Sequence, residues 1–492
     1  MRHFDILLGR VGRQLLCLPG SEHAALHART GAGKGVSFVL PNCFAYPGSL
    51  VVLDIKGEAF RATAGHRASM GQDVYLFSPD ARDGRSHRWD PFSGVQRESN
   101  DRFRQIARQA SLLFPEHDQV GVAGNNAKFW DDVGRQAFTS VATIMAESPD
   151  EPLTMGNITQ FFLRDDIHQL LADKISTARR VGRSYSQSAI NGVSDLMSGD
   201  AKFRGEIRKT VSTRLNIWSQ PQLAAVTETS DFDLRDLRLR PMTVYVAVSP
   251  ANLQNLRPLL RLFFDQVINA NTDATPEEDP TLTVQTLVML DEFARLGRMD
   301  TLAQAAQYVR GYGLRMAFVI QNKAQLRAIY GKDAAADIFD NLGAEIIFGT
   351  ADPDLTKEME ERLGDATVTI TTRNRPRFWA WLNPSKQGEA EHPHRRPLML
   401  DQEVVQMSPD EQIVIRPGMK PMKTLRLRWY DDPQFRDLVR PSPEIPALQI
   451  NVAIDDGATR IKVAKDPAQQ AAPAAKPARR TGPAIPIRKM SP

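Results

Sequence analysis

Residues 28–35 constrain the fold more than any other part of the chain. They form the octet A-R-T-G-A-G-K-G, between an apolar run typical of a strand and a run typical of a helix. Such a loop cradles phosphate through backbone N–H groups and a lysine, aided by the dipole of the following helix. The candidate nucleotide-binding residues are Ala28, Arg29, Thr30, Gly31, Ala32, Gly33, Lys34 and Gly35.

Two glycines and the lysine carry the expected chemistry of this loop. We expect Gly31 and Gly33 to adopt positive φ, which glycine does without steric cost, and Lys34 to supply a point charge. The ends depart from the general pattern, because Ala28 replaces a glycine and Gly35 replaces the Ser or Thr that binds Mg²⁺. Taken alone, the octet also fits an ordinary Gly-rich turn.

The hydrophobic pattern predicts an α/β fold with a parallel sheet interrupted by an all-helical part. Strand-like runs alternate with helical periodicity, and the stretch from about residue 100 to 222 is helical throughout. Strands are predicted at 24–28, 50–55, 73–77, 242–248, 286–290, 316–320 and 346–348, and helices at 59–70 and 256–270.

These patterns divide the chain into four predicted segments. Residues 1–98 and 233–438 are the two parts of a nucleotide-binding domain, and residues 99–232 are an all-α domain inserted between them. Residues 439–492 are rich in Pro, Ala, Lys and Arg, which predicts a disordered basic tail that attracts DNA or anionic lipid, or merely solubilises the chain.

Composition narrows the class of protein only a little. The 492 residues carry a net charge of +4, which permits an anionic partner without requiring one. Two cysteines are too few for a disulfide framework, which favours a reducing cytoplasm. Because no apolar run approaches the roughly 18 residues of a spanning helix, the chain itself is expected to be soluble.

A second chemical signal lies about 260 residues after the loop. The apolar run Leu287–Leu290 leads directly into Asp291 and Glu292. At the end of a buried strand, such acids hold Mg²⁺ and activate the attacking water in nucleotide hydrolases. We assign Asp291 to the metal and Glu292 to the general base; the alternative is that Asp291 caps a helix.

Further motifs resemble those of the type IV secretion coupling proteins, the conjugative DNA-transfer ATPases of the TraG type. The resemblance covers about residues 20–435, and its motifs follow in the family's order. They are the loop itself, V-V-L-D-I-K-G-E at 51–58, W-D-P-F at 89–92, L-D-E-F-A-R-L-G-R-M at 290–299, V-R-G-Y-G-L-R at 309–315, V-I-Q-N-K-A-Q-L-R-A-I-Y-G at 319–331, R-P-L-M near 396 and W-Y-D-D-P-Q-F at 429–435.

The resemblance implies a RecA-like P-loop motor that uses ATP and Mg²⁺ and carries an all-α substrate-receptor domain. It implies a homo-hexamer at the cytoplasmic face of the bacterial inner membrane, which receives a relaxase on single-stranded DNA, or protein effectors, for the secretion channel. The family shares both irregular ends of the loop. Members often carry upstream membrane helices, so here these were either removed or are supplied by a partner.

Two further site residues come from the same resemblance. Arg310 matches the family's proposed arginine finger, a cation inserted into a neighbour's site, a device worth roughly 10³ to 10⁵ in rate. Gln321 matches a sensor glutamine for the γ-phosphate or the attacking water. The open alternatives are a cation at a helix C-terminus for Arg310 and a strand-end cap for Gln321.

Three questions stay open from the sequence. Lys56 and Glu58 either lie near the nucleotide or only flank a turn at Gly57. The segment 373–381, R-N-R-P-R-F-W-A-W, either stacks DNA bases or is a solvated hairpin. The overall alternatives to a coupling ATPase are an FtsK-like double-stranded DNA translocase and a docking platform that does not hydrolyse ATP.

Overall fold

The computed structural model describes residues 4–114, 122–373, 389–453 and 460–462. The chain divides into two units, residues 1–448 and 449–492. The strands are β1 (Ile6–Val11), β2 (Gln14–Leu18), β3 (His23–His27), β4 (Ser49–Leu53), β5 (Asp73–Phe77), β6 (Met242–Val246), β7 (Thr286–Leu290), β8 (Leu314–Ile320), β9 (Leu342–Phe348), β10 (Asp365–Arg373), β11 (Glu389–Pro397), β12 (Glu411–Ile415), β13 (Met422–Leu425), β14 (Asn451–Ala453) and β15 (Arg460–Lys462).

Helices cover both faces of the sheet region and fill the interval between β5 and β6. They are α1 (Leu40–Ala45), α2 (Glu58–Ser69), α3 (Arg102–Leu113), α4 (Val122–Ala146), α5 (Met155–Leu163), α6 (Ile167–Arg180), α7 (Gln187–Ser198), α8 (Ala201–Leu215), α9 (Pro221–Val226), α10 (Arg257–Asn269), α11 (Asp300–Ala305), α12 (Lys323–Tyr330), α13 (Lys332–Asp340), α14 (Pro353–Leu363), α15 (Asp401–Val405) and α16 (Pro433–Arg436).

One eleven-stranded sheet, in the order β2-β1-β13-β12-β9-β3-β8-β7-β4-β6-β5, organises the first unit. The strands from β9 to β5 in that order are parallel. Their residues are apolar and mostly buried, as expected for a sheet covered on both faces. The predicted parallel α/β fold is confirmed, and each predicted strand is present with its ends shifted by at most four residues.

The other side of the sheet was not predicted. Strands β12, β13, β1 and β2 extend it through antiparallel pairs. Strands β2 and β13 are short and partly exposed, with Gln14 and Lys423 open to solvent, so they lack the continuous apolar run that marked the parallel strands, whereas β1 and β12 are mostly buried.

Between β5 and β6, the regular elements of the described residues are helices and 3₁₀ turns, joined by loops; Arg85 makes an isolated β-bridge with Ala447. The chain leaves and rejoins the sheet region at one place: the N–H of Trp89 donates to the carbonyl of Val226 at 2.9 Å, and the N–H of Asp231 donates to the carbonyl of Arg88 at 3.0 Å. The Arg88 guanidinium also pairs with the Asp231 carboxylate at 2.7 Å. This geometry is that of an insertion, while the boundaries at 98/99, 232/233 and 438/439 stay predictions.

Three peripheral features complete the description. Strands β10 and β11 pair antiparallel, and β14 pairs with β15 within the second unit. Residues 374–381 of the basic-aromatic segment, and 454–459 and 463–492 of the predicted tail, lie outside the described residues. In the described part of the chain, no helix is both long and apolar enough to cross a bilayer.

Candidate functional site

The loop between β3 and the following helix has the backbone of a phosphate cradle. Gly31 and Gly33 have φ of +77° and +83°, as predicted from their lack of a side chain. The N–H of Ala28 donates to the carbonyl of Ile320 at 3.0 Å, which ties the start of the loop to β8. Arg29, Thr30 and Gly31 are exposed and the Lys34 side chain is buried, so the loop is open to a ligand on one side.

The helix after the loop begins in an unusual way. Residues Gly35–Val39 form a π-helical turn, and α1 continues from it to Ala45. Single π turns occur often at functional sites. The N-terminus of this continuous helical segment points its free N–H groups toward the loop, where they favour an anion.

Lys34 brings the two halves of the predicted site together. Its Nζ lies 2.9 Å from Oε1 of Glu292 and 3.2 Å from Oδ1 of Asp291. The contact with Asp291 is an ion pair without good hydrogen-bond geometry, since this buried oxygen accepts no hydrogen bond. Burial raises the pKa of the Asp291 carboxyl, although the charge of Lys34 opposes that shift. Lys34, Asp291 and Glu292 therefore form one charged cluster.

Glu292 has a strained backbone. With φ of +59° and ψ of +46°, it is the one non-glycine residue with positive φ among those described. Strain of this kind costs about 1–3 kcal/mol and persists where the surroundings impose it, often at active sites. Its carboxylate is buried and also pairs with Arg295 at 2.5 Å. The residue at the N-cap of the following 3₁₀ turn is Glu292 rather than Asp291, and no side chain caps that turn.

Gln321 lies at the carboxyl end of β8 and bridges the loop to Glu292. Its Nε2 donates to Oε1 of Glu292 at 3.0 Å, and its Oε1 accepts from the Thr30 hydroxyl at 2.8 Å. Because Gln321 bonds both the phosphate loop and the candidate base, its side chain lies close to where a γ-phosphate or an attacking water would be. A strand-end cap explains neither of these two contacts.

A third acid near the loop was missed from the sequence. Asp54 directly follows β4, which is the neighbour of β7, so Asp54 stands beside Asp291. Its Oδ2 accepts from the N–H of Phe60 at 2.8 Å, and burial raises its pKa. The signal was present, since L-V-V-L-D repeats the pattern of L-V-M-L-D. Asp54 holds the first turn of α2 in place beside the site.

Arg310 does not join this cluster. It lies in a 3₁₀ turn, Val309–Tyr312, at the opposite end of β8 from Gln321. The seven residues of β8, at about 3.3 Å each, separate the two by roughly 23 Å. The guanidinium makes no ion pair among the described residues, and its Nε is buried without a hydrogen-bond partner. Within one chain, Arg310 therefore cannot reach the loop.

The loop also contacts the C-terminal part of the first unit, where sequence reasoning assigned no site residue. Arg426 donates to the carbonyl of Ala32 at 3.0 Å and lies over the ring of Phe348 at 3.7 Å. With Arg428 and Tyr430, Arg426 lines a cavity of about 490 Å³ on one side of the loop. The W-Y-D-D motif, already noted in the sequence, begins just beyond Arg426.

Lys56 and Glu58 flank a turn at Gly57, whose φ is +65°. Lys56 is exposed, and its charge lies close enough to Asp291 to oppose the rise in that group's pKa. Glu58 is the first residue of α2 and faces Gly35. No group of three or more His, Cys, Asp or Glu side chains suited to a metal occurs in the part of the chain that the structure describes.

Comparison with protein families agrees with the motifs. The family described as type IV secretory system conjugative DNA transfer matches residues 7–450. The chain is similar to the protein VirD4 of Agrobacterium fabrum, with 29% identity over 422 residues, and to the conjugal transfer protein TraG of the same organism, with 25% identity over 427 residues. Each alignment covers 85% of this chain. The chain spans 60% and 62% of the lengths of these relatives.

Solved structures with the same fold include the bacterial conjugative coupling protein TrwB. Its unbound form, lacking the N-terminal segment, has a TM-score of 0.60 at 18% identity and covers 91% of this chain and 92% of its own. The form of TrwB in complex with ADP and Mg²⁺ has a TM-score of 0.59 at 17% identity, covering 86% and 94%. This likeness shows that the chain and TrwB share one fold, a largely parallel α/β sheet with an inserted helical part.

Proposed function

This chain belongs to the type IV secretory system conjugative DNA-transfer family, and on that premise we propose that it is an ATP-driven coupling protein. It recruits a relaxase bound to single-stranded DNA, or protein effectors, and delivers them to the secretion channel. The observation that carries the proposal is the contact of Lys34 with Asp291 and Glu292, because it joins a phosphate loop to two acids at the same edge of the sheet.

The proposed hydrolysis follows from the positions of these side chains. The N–H groups of the loop and of the helix start bind the phosphates, and Lys34 moves from the acids to the phosphate oxygens. Glu292, hydrogen-bonded to Gln321, takes a proton from the attacking water. Gln321 orients that water or the γ-phosphate. The Arg426 cavity has room for the base and sugar.

The residues present fit the Mg²⁺ that the family implies. Asp291 offers a buried oxygen that accepts no hydrogen bond, and carboxylate oxygens suit this cation, which keeps several waters and takes other ligands from phosphates. When bound, Mg²⁺ neutralises charge on the phosphates. TrwB has been solved with ADP and Mg²⁺ and with non-hydrolysable ATP and GTP analogues.

The position of Arg310 supports assembly into a ring. An arginine finger must approach the phosphates, and within the chain Arg310 lies at the opposite edge of the sheet from the loop. A neighbouring subunit in a homo-hexamer would bring it there. The ring would stand at the cytoplasmic face of the inner membrane, with the helical residues 99–232 as the substrate receptor.

Steady-state ATP hydrolysis tests this function. We expect Mg²⁺-dependent turnover that DNA stimulates, and its loss in Lys34→Ala and Glu292→Gln. Stimulation by single strands supports coupling, whereas a strict need for duplex DNA supports an FtsK-like translocase. Wild-type protein that binds ATP but stays inert over a concentration series with DNA would support the docking platform instead.

Mixing of inactive subunits tests the ring. Arg310→Ala subunits retain an intact loop, and Lys34→Ala subunits retain the finger, so a mixture should regain part of the activity at composite sites. The control is each variant mixed with itself. If verified mixed oligomers stay inactive, Arg310 does not act across subunits.

A further inference from the structure

Gly35 stands where the general phosphate loop has a hydroxyl, and its backbone does not require glycine. Its φ is not among the positive values found in the described residues, and it lies within a helical turn. A Cβ built on Gly35 would meet only one atom within 4 Å, Oε2 of Glu58 at 3.8 Å. A side chain is therefore sterically possible at Gly35. The carboxylate of Glu58 faces the space that a serine hydroxyl would occupy.

Glu58 is available to bind a ligand at this point. It is exposed, and its carboxylate makes no ion pair or hydrogen bond with any other residue that the structure describes. The turn at Gly57 and the bond from Phe60 to Asp54 fix the start of α2, and so they fix the position of Glu58 beside the loop.

We propose that Glu58 supplies, directly or through a bound water, the oxygen ligand to Mg²⁺ that Gly35 lacks. A serine hydroxyl would stand one bond beyond the Cβ, in the space that the Glu58 carboxylate faces. Mg²⁺ accepts carboxylate oxygens as readily as hydroxyls. This inference rests on the proposed ATPase function and names a second protein ligand beside Asp291.

A carboxylate differs from a hydroxyl in one testable respect. Its negative charge attracts the metal, but it repels a nucleotide that arrives without metal. Removing the charge in Glu58→Gln should therefore weaken the binding of Mg²⁺, while ADP without metal should bind equally well or more tightly. A residue that only stabilises the helix would not produce these opposite effects.

The test measures binding rather than turnover. The affinity for a fluorescent ADP is determined in EDTA and in saturating Mg²⁺, and the ratio gives the contribution of the metal. We expect Glu58→Gln to lower this ratio roughly 10-fold or more, the size of effect seen for groups that support a metal site. Titration of Mn²⁺ in the presence of ADP, followed by electron paramagnetic resonance, should show a similar loss of metal affinity in Glu58→Gln.

Gly35→Ser provides the rescue. In the Glu58→Gln background it restores the hydroxyl, and the space at Gly35 admits it, so most of the metal contribution should return. Asp333→Asn is the matched control, because it removes an exposed acid from the first turn of another helix, α13. Thermal unfolding of each variant establishes that it is folded.

Two results would overturn the inference. One is an unchanged ratio in folded Glu58→Gln, and the other is a loss that Gly35→Ser does not reverse. Either result, with ADP still bound by the wild type, leaves the ATPase function standing. If the wild-type protein binds no ADP with or without Mg²⁺, the proposed function itself fails.

Discussion

Replacing Glu292 by Gln should tighten ATP binding while it abolishes hydrolysis. In the structure, the Lys34 ammonium is held by Glu292 at 2.9 Å and by Asp291 at 3.2 Å. To reach a phosphate, Lys34 must leave these partners. ATP binding therefore requires the ion pair of Lys34 with Glu292 to break. Neutralising Glu292 lowers the free energy needed to release Lys34.

The size of the effect follows from the bond that is weakened. In Glu292→Gln the Lys34 ammonium keeps a hydrogen bond to the amide oxygen but loses a charged partner. Since a hydrogen bond to a charged group contributes about 1.5–3 kcal/mol, a loss of about 1 kcal/mol of that contribution corresponds to roughly 5-fold tighter binding. Loss of the general base should reduce turnover by roughly 10² to 10⁴.

Equilibrium titration with a fluorescent ATP measures the affinity, and phosphate release measures turnover. Arg295→Gln is the control: it removes the other ion pair of Glu292, whose guanidinium partner is 49% exposed, and should change affinity by no more than about twofold because exposed pairs contribute little. An affinity of Glu292→Gln equal to or weaker than that of the wild type would refute the idea that Glu292 withholds Lys34 from the phosphates.

The other predictions concern the sensor, a buried histidine and a buried arginine. Gln321→Ala should cut turnover at least roughly 10-fold with little change in ATP affinity, because its amide bonds Glu292 and Thr30 rather than the loop backbone; a loss confined to affinity would contradict the sensor role. Burial first, then the charge of Arg310, lowers the pKa of His23 to about 3, so the unfolded chain binds its proton first and stability falls as pH drops from 6.5 toward 3. The free energy of unfolding should fall by about 2 kcal/mol between pH 6.5 and 5. Urea unfolding of His23→Gln should lack this part of the pH dependence; the same pH dependence in the variant and the wild type would contradict the role of His23. Arg67 is fully buried and donates to the carbonyls of Cys43, Tyr46 and Gly48; Arg67→Met should lower the free energy of unfolding by about 3 kcal/mol or more because these acceptors lose their partner, and a change below about 1 kcal/mol in urea would show that water replaces it.

The sequence predicted the parallel part of the sheet because its strands are uninterrupted apolar runs. The phosphate loop and the acids Asp291 and Glu292 were also identified from the sequence, because each follows a predicted strand of the same sheet. The ion pairs of Lys34 with these acids were seen only in the structure. Strands β2 and β13 were missed because short, half-exposed strands have the residue pattern of loops. The role of Asp54 depends on β4 lying next to β7, which follows from the strand order and not from local pattern.

The approach of Glu58 to Gly35 was unpredictable for a similar reason. Both residues were noted, but 23 positions separate them, and only the packing of α2 beside the phosphate loop brings the carboxylate to 3.8 Å from a Cβ at Gly35. Arg310 shows the reverse case. The motif identified the residue, and its distance from the loop became visible only with β8 in place.

The paired crossing at Arg88 and Asp231 makes the helical part exchangeable. Because the outgoing and returning chains are hydrogen-bonded to each other, a loop of a few residues could join 88 to 231 without spreading the strands on either side. The cost beyond the crossing would be the interface of α3 with α10, including the ion pair of Arg108 with Asp265 at 3.1 Å. Under the proposed function, the choice of substrate could therefore change by replacement of the helical part alone, with the phosphate loop and its acids unchanged.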